Sequence, residues 1–100
     1  MDDDVERLHG LTDLITPMVI QVAATLRLAD RIAAGSTTPD ELAADVDADP
    51  DALARLLRYL VARGVFAEPE LGRFALNGAA QPLRDDHPSQ LRSWLDLSSA

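Results

Sequence analysis

Two of the six prolines mark helix starts in the middle of this chain. Thr38-Pro39-Asp40-Glu41 and Asp49-Pro50 each set a capping side chain directly before a proline. A proline suits the first turn of a helix because its fixed φ is already helical and its missing N–H has no intrahelical role there. Thr38 can accept from the backbone three residues on while Glu41 reaches back, the reciprocal pattern of a capping box. A short helix is therefore expected through Leu42, Ala43 and Val46, followed by a turn at Asp47-Ala48-Asp49. After the second cap, Leu53, Leu56, Leu57, Leu60 and Val61 follow the i, i+3, i+4, i+7, i+8 pattern of a helix with one buried stripe, and Gly64 ends it. Two short helices joined by a tight acidic turn read as helix-turn-helix.

Downstream, Val65-Phe66-Ala67-Glu68 reads as a strand, Pro69-Glu70-Leu71-Gly72 as a turn and Arg73-Phe74-Ala75-Leu76 as the returning strand, with Asn77 and Gly78 closing the hairpin. The expected fold is mainly α: a winged-helix-like core with added helices at both ends. Upstream, Val5, Leu8, Leu11, Leu14 and Ile15 have helical spacing, and Asp2, Asp3 and Asp4 suit the start of that helix. Thr16-Pro17 interrupts it. A second helix then carries Met18, Val19, Val22, Ala23, Leu26, Ala29 and Ile32, closing at Gly35. Ile20 and Leu28 widen its stripe beyond one face, which a small domain does not easily cover, so a partner surface is expected. Beyond the hairpin, a weak helical patch runs to Leu83 and a polar link covers Arg84-Asp85-Asp86-His87. Pro88 opens a last helix with Leu91, Trp94, Leu95 and Ser98 on one face. The organisation expected is dimerisation helices over 1–35, the winged-helix-like core over 36–83, and a linker with the start of an exit helix over 84–100. The final Ser98-Ser99-Ala100 carries no C-cap signal and reads as a cut within a longer protein.

Composition narrows the function. One hundred residues make one small domain with a limited core. Seventeen acids against nine bases, all arginine, give a net charge of −8, which argues against nucleic acid and anionic membrane partners. There is no cysteine, which excludes disulfides, thiolate zinc sites and cysteine nucleophiles. The start lacks the basic region of a signal peptide, and the most apolar stretch, residues 17–28, is too short to span a bilayer, so the cytoplasm is the expected location.

Candidate chemistry is sparse. His9 and His87 have no metal-ligand spacing and read as solvated or capping residues. Asp45, Asp47 and Asp49 alternate like the start of a calcium loop, but the loop glycine and closing glutamate are missing. Caps and a solvated turn explain them better. Ser89, Ser93, Ser98 and Ser99 lack a nucleophile elbow and a base. Arg55, Arg58, Tyr59, Arg63 and Arg73 would form the basic face of a DNA-binding regulator, yet Asp47, Asp49, Asp51, Glu68 and Glu70 surround them. Trp94 has two readings, a packing anchor or interdomain plug, and a flat wall for an aromatic ligand.

A family resemblance lies in particular runs. Thr16-Pro17-Met18-Val19, the run Val22-Ala23-Ala24-Thr25-Leu26-Arg27-Leu28-Ala29-Asp30, and the run Asp51-Ala52-Leu53-Ala54-Arg55-Leu56-Leu57-Arg58-Tyr59-Leu60 resemble the N-terminal dimerisation domain of bacterial natural-product O-methyltransferases. Asp86-His87-Pro88 with Arg92-Ser93-Trp94-Leu95-Asp96-Leu97 is similar to the anthracycline-tailoring branch, that of carminomycin 4-O-methyltransferase and aclacinomycin 10-hydroxylase. The resemblance implies a homodimer whose contact falls on Leu8, Leu11, Leu14, Ile15, Met18, Val19 and Val22. It implies an aromatic acceptor pocket bordered by Arg92, Trp94 and Leu95. The resemblance also implies that S-adenosylmethionine and the catalytic groups belong to a C-terminal domain outside this chain, so no catalytic, cofactor-binding or metal-binding residue is carried over. The function expected is dimerisation and substrate-lid duty in an S-adenosylmethionine-dependent O-methyltransferase acting on an aromatic polyketide-like product. The alternatives are a winged-helix regulator, a stand-alone dimerisation module and a methyltransferase-like hydroxylase.

Overall fold

The structure is a computed structural model that describes residues 15–98. Leu8, Leu11 and Leu14 of the expected dimer contact, and His9, lie outside the described residues. The elements are α1 (Ile15–Thr25), α2 (Leu28–Ala33), α3 (Pro39–Val46), α4 (Pro50–Ala62), β1 (Ala67–Glu70), β2 (Arg73–Ala75), a 3-10 helix (Gly78–Leu83) and α5 (Leu91–Leu95).

The two proline-marked starts form as local chemistry dictates. Thr38 Oγ1 accepts from Glu41 N at 3.2 Å and Glu41 Oε1 accepts from Thr38 N at 3.2 Å, a complete capping box. Asp49 Oδ2 accepts from Ala52 N at 3.1 Å at the head of α4. Leu53, Leu57 and Leu60 turn into the core, while Leu56 and Val61 flank it half-buried. β1 and β2 pair antiparallel, with Ala67 opposite Ala75 and Glu70 opposite Arg73. Helices α3 and α4 with this hairpin are the expected winged-helix-like core. One continuous cluster from Ala23 through Leu28, Leu57, Phe66 and Phe74 to Leu83 forms the interior.

Four expectations need correction. The helix read across residues 17–34 is two helices. Arg27, with φ 59°, takes the left-handed conformation and breaks the chain between α1 and α2. The break turns α2 back, so Leu28, Ala29 and Ile32 join the domain's own core, leaving less of the wide stripe for a partner. Pro17 lies within the first turn of α1 rather than opening it. The first strand begins two residues later than expected because Phe66, φ 69°, is also left-handed and buried. Asn77 holds it there: its Oδ1 accepts from Phe66 N at 3.1 Å and its Nδ2 donates to Gly64 O at 2.9 Å and Phe66 O at 3.1 Å. The last helix starts at Leu91 rather than Pro88, after Gln90 at φ 59°. The residues before it form turns, in which Ser89 N donates to His87 Nδ1.

Candidate functional site

Two surfaces stand out, the outer face of α1 and the segment from Arg84 to Ser98. On α1, Ala23 and Ala24 are buried, Val19 and Val22 are half-buried, and Ile15 and Met18 are 60% and 64% exposed. Small residues let the end of the helix sit close to the core, while the larger apolar side chains at its start are left facing out. Of the expected contact residues among those described, Ile15 and Met18 are therefore exposed on the outer face and Val19 also packs on the core.

The C-terminal segment runs back over the α1–α2 break. Leu95 packs half-buried against the core, whereas Trp94 is 86% exposed. The core-anchor reading of Trp94 is thereby corrected: its ring is presented outward. Arg92, expected beside it at a pocket border, turns the other way and is only 4% exposed. Its Nε donates to Asp85 Oδ1 at 2.9 Å, and its Nη1 donates to Asp96 Oδ2 at 2.9 Å and to Ala24 O at 3.2 Å. Hydrogen bonds from Ser98 Oγ, from Arg92 and from Ser98 N hold the Asp96 carboxyl down to about 2. The Asp96 bond, above all, and the Asp85 pair hold Arg92 still more firmly in its charged form. The Arg92–Asp96 pair has i, i+4 spacing, a signal present in the sequence that its reading passed over. Asp85, seven residues before Arg92, and Ala24 O carried no such signal.

The basic face of α4 is occupied from within. Tyr59 OH and Thr16 Oγ1 are 2.7 Å apart, Arg63 Nε donates to Thr16 Oγ1 at 3.2 Å, and the Arg63 guanidinium lies 5.9 Å from the Tyr59 ring centre. Arg58 pairs with Glu68 at 3.3 Å, and the Gly72 N–H, then Arg58, lowers the Glu68 carboxyl below its ordinary range. With Arg58 and Arg63 engaged by Glu68 and Thr16, two of the expected basic residues are turned to partners within the chain, which counts against the regulator reading. Of the three alternating acids, Asp49 caps α4, Asp45 accepts from Ser36 Oγ, and Asp47 ends α3 in the left-handed conformation through its backbone. No group of three or more metal-ligating side chains lies together among the described residues. No described helix is long and apolar enough to cross a membrane.

Two hollows accompany these surfaces. An open one of about 460 Å³ lies over Arg27, Asp30, Arg31, Ser36, Asp45 and Asp85 and has charges of both signs. A smaller apolar one of about 140 Å³ lies between α1, the 3-10 helix and α5, lined by Ile20, Val65, Ala79, Pro82, Leu83 and Leu91.

The described residues thus form a helix-turn-helix-wing core with an apolar helix face and a tryptophan presented outward. Residues 8–83 match the family model of the O-methyltransferase dimerisation domain, and the chain belongs to that family. Over 93 residues it is 50% identical to the 2,7-dihydroxy-5-methyl-1-naphthoate 7-O-methyltransferase of Streptomyces carzinostaticus, covering 93% of this chain and 28% of that protein. It is 43% identical over 102 residues to aclacinomycin 10-hydroxylase of Streptomyces purpurascens, covering 99% of this chain and 27% of the relative. It superposes with a TM-score of 0.88 on an O-methyltransferase of neocarzinostatin biosynthesis solved with S-adenosylmethionine and 2-hydroxy-5-methyl naphthoic acid. That pair shares 50% identity over 92% of this chain and 28% of the other. The chain thus spans little more than a quarter of these relatives' length.

Proposed function

We propose that this chain is the dimerisation and substrate-lid part of an S-adenosylmethionine-dependent O-methyltransferase that tailors an aromatic, polyketide-like natural product. The observation that carries the reading is the 50% identity to a naphthoate O-methyltransferase across nearly the whole chain. The exposed Ile15 and Met18 support a homodimer built on α1, with Val19 and Val22 at the edge of the contact and Leu8, Leu11 and Leu14 continuing it. Residues 1–35 supply the interface helices, 36–83 the winged-helix-like support and 84–100 the passage toward a cofactor-binding domain. That domain holds S-adenosylmethionine and the reacting groups, in the cytoplasm where the cofactor is made. Trp94 and Leu95 border the acceptor pocket, the exposed indole offering a flat face for an aromatic ring. Arg92 serves that border by holding the segment rather than by touching the acceptor.

One relative favours a second reading. The 43% identity to a hydroxylase puts hydroxylation of the same substrate class beside methyl transfer as the parent activity. The complete gene product, incubated with S-adenosylmethionine and a dihydroxynaphthoate, decides between them. Gain of one methyl group on oxygen supports the methyltransferase, and gain of one oxygen atom with no methyl supports the hydroxylase. Absence of S-adenosylmethionine binding by calorimetry rejects both.

A further inference from the structure

Helix α5 has five residues, far fewer than an isolated helix needs to hold its shape in water. Its first residue follows Gln90 in the left-handed conformation, with no side-chain cap. The orientation of α5 must therefore come from outside it. Three attachments to the α1–α2 break supply that orientation. Arg92 Nη1 donates to Ala24 O, Leu97 N donates to Thr25 Oγ1 at 2.8 Å, and Asp85 N donates to both Asp30 carboxylate oxygens at 3.2 Å. Thr25 is itself fixed by its bond to Gln21 O at 2.7 Å.

Arg92 is central to this arrangement. Its planar fork meets three acceptors from three places in the chain: a carbonyl at the end of α1, a carboxylate before α5 and a carboxylate at its close. An ammonium is a point charge on a flexible stem and does not reproduce the fork. A positive charge at Ala24 O also stands at the C-terminal end of α1, where the helix dipole favours it. Because the guanidinium is buried, release of any one partner leaves a buried N–H of the fork without its acceptor, so the arrangement has one favoured geometry.

We propose that Arg92 is a positioning residue that makes α1 and the segment from Arg84 to Ser98 one rigid unit, so that the direction of the Trp94 ring is set by the helix carrying the exposed Ile15 and Met18. The interface face and the pocket border are then mechanically joined. The use of that joint rests on the function proposed above, whereas the joint itself is a property of this chain. Its test needs no methyl transfer, so it can fail or succeed independently of that function.

The test compares the 100-residue chain with its Arg92→Lys and Arg92→Met variants by amide hydrogen exchange and by anisotropy of Trp94, the sole tryptophan. In both variants the amides of residues 91–97 are expected to exchange on the order of ten- to a hundredfold faster, the scale of losing charged, buried hydrogen bonds. Trp94 anisotropy falls while its emission maximum stays put, because the ring is already in water. Amides of Leu57 and Leu60 in the core keep their protection. Unchanged exchange and anisotropy in the segment overturn the proposal, as does an equal loss of protection at Leu57 and Leu60, which would make Arg92 a general stability residue. If neither variant yields folded protein, Asp85→Asn decides. A smaller fall in anisotropy with an intact core supports the joint, and no change overturns it.

Discussion

Leu57 and Leu56 are neighbours on α4 with the same side chain and different surroundings, and Leu71 has that side chain at the hairpin tip. Leu57 is fully buried, Leu56 half-buried at the core's margin and Leu71 91% exposed. Truncation to alanine removes the same atoms at each position, so differences in cost report the environment alone. Leu57→Ala loses the transfer free energy of the side chain and leaves a cavity among helices that relax only in part. The expected cost is about 2–5 kcal/mol. At Leu56 less area leaves water and solvent can fill the gap, giving about 1–2 kcal/mol. At Leu71 the cost is within about 0.5 kcal/mol. Urea unfolding followed by far-UV circular dichroism measures all three, at one fixed protein concentration because association adds to apparent stability. In a domain of this size the Leu57 variant should lose about 8 °C or more in melting temperature. Equal losses for Leu56→Ala and Leu57→Ala, or a Leu57→Ala loss below about 1 kcal/mol, would refute the placement of α4 and the core built on it.

Two further outcomes follow from polar contacts. Thr38→Ala removes half of the capping box on α3 and should cost about 1 kcal/mol in the same unfolding assay, while Thr38→Ser should restore most of it. The Asp96 carboxyl is held at about 2, below its ordinary 3.8, so the folded state prefers the ionised form. The stability from that preference is fully present above the ordinary value and is lost as pH falls toward 2. Urea midpoints measured between about pH 5 and about pH 2 should fall less in Asp96→Asn than in the parent chain. An identical fall would contradict the Asp96 contacts, Glu68 being the other carboxyl among the described residues that is shifted in the same sense.

The parts of this fold that can be read from the sequence are those held by nearby residues. Thr38, Glu41 and Asp49 act within three positions of themselves, and the leucines of α4 repeat with the helix, so both helices begin where their residues say. The parts that cannot be read are held from afar. Nothing near Arg27 announces a left-handed residue, and the apolar spacing runs straight through it. The break is supported by Arg31 Nε donating to Leu26 O at 2.8 Å and by Arg92 reaching Ala24 O from 68 positions away. Phe66 is left-handed because Asn77, eleven residues on, supplies both a donor and an acceptor. Arg92 and Trp94 stand two apart in one run, and their spacing does not say that one is sealed inside while the other faces out. That division is made by the acids around Arg92 and by the direction in which the chain leaves the core.

In the proposed dimer a second copy of the chain covers the exposed start of α1, and sedimentation equilibrium reads that association as mass. The 100-residue chain is expected to sediment with the mass of a dimer. Met18→Asp, which places a charge on the outward face without touching the core, is expected to sediment as a monomer with unchanged circular dichroism. A parent chain that sediments as a monomer, or a Met18→Asp variant that remains a dimer, would contradict the proposed dimer.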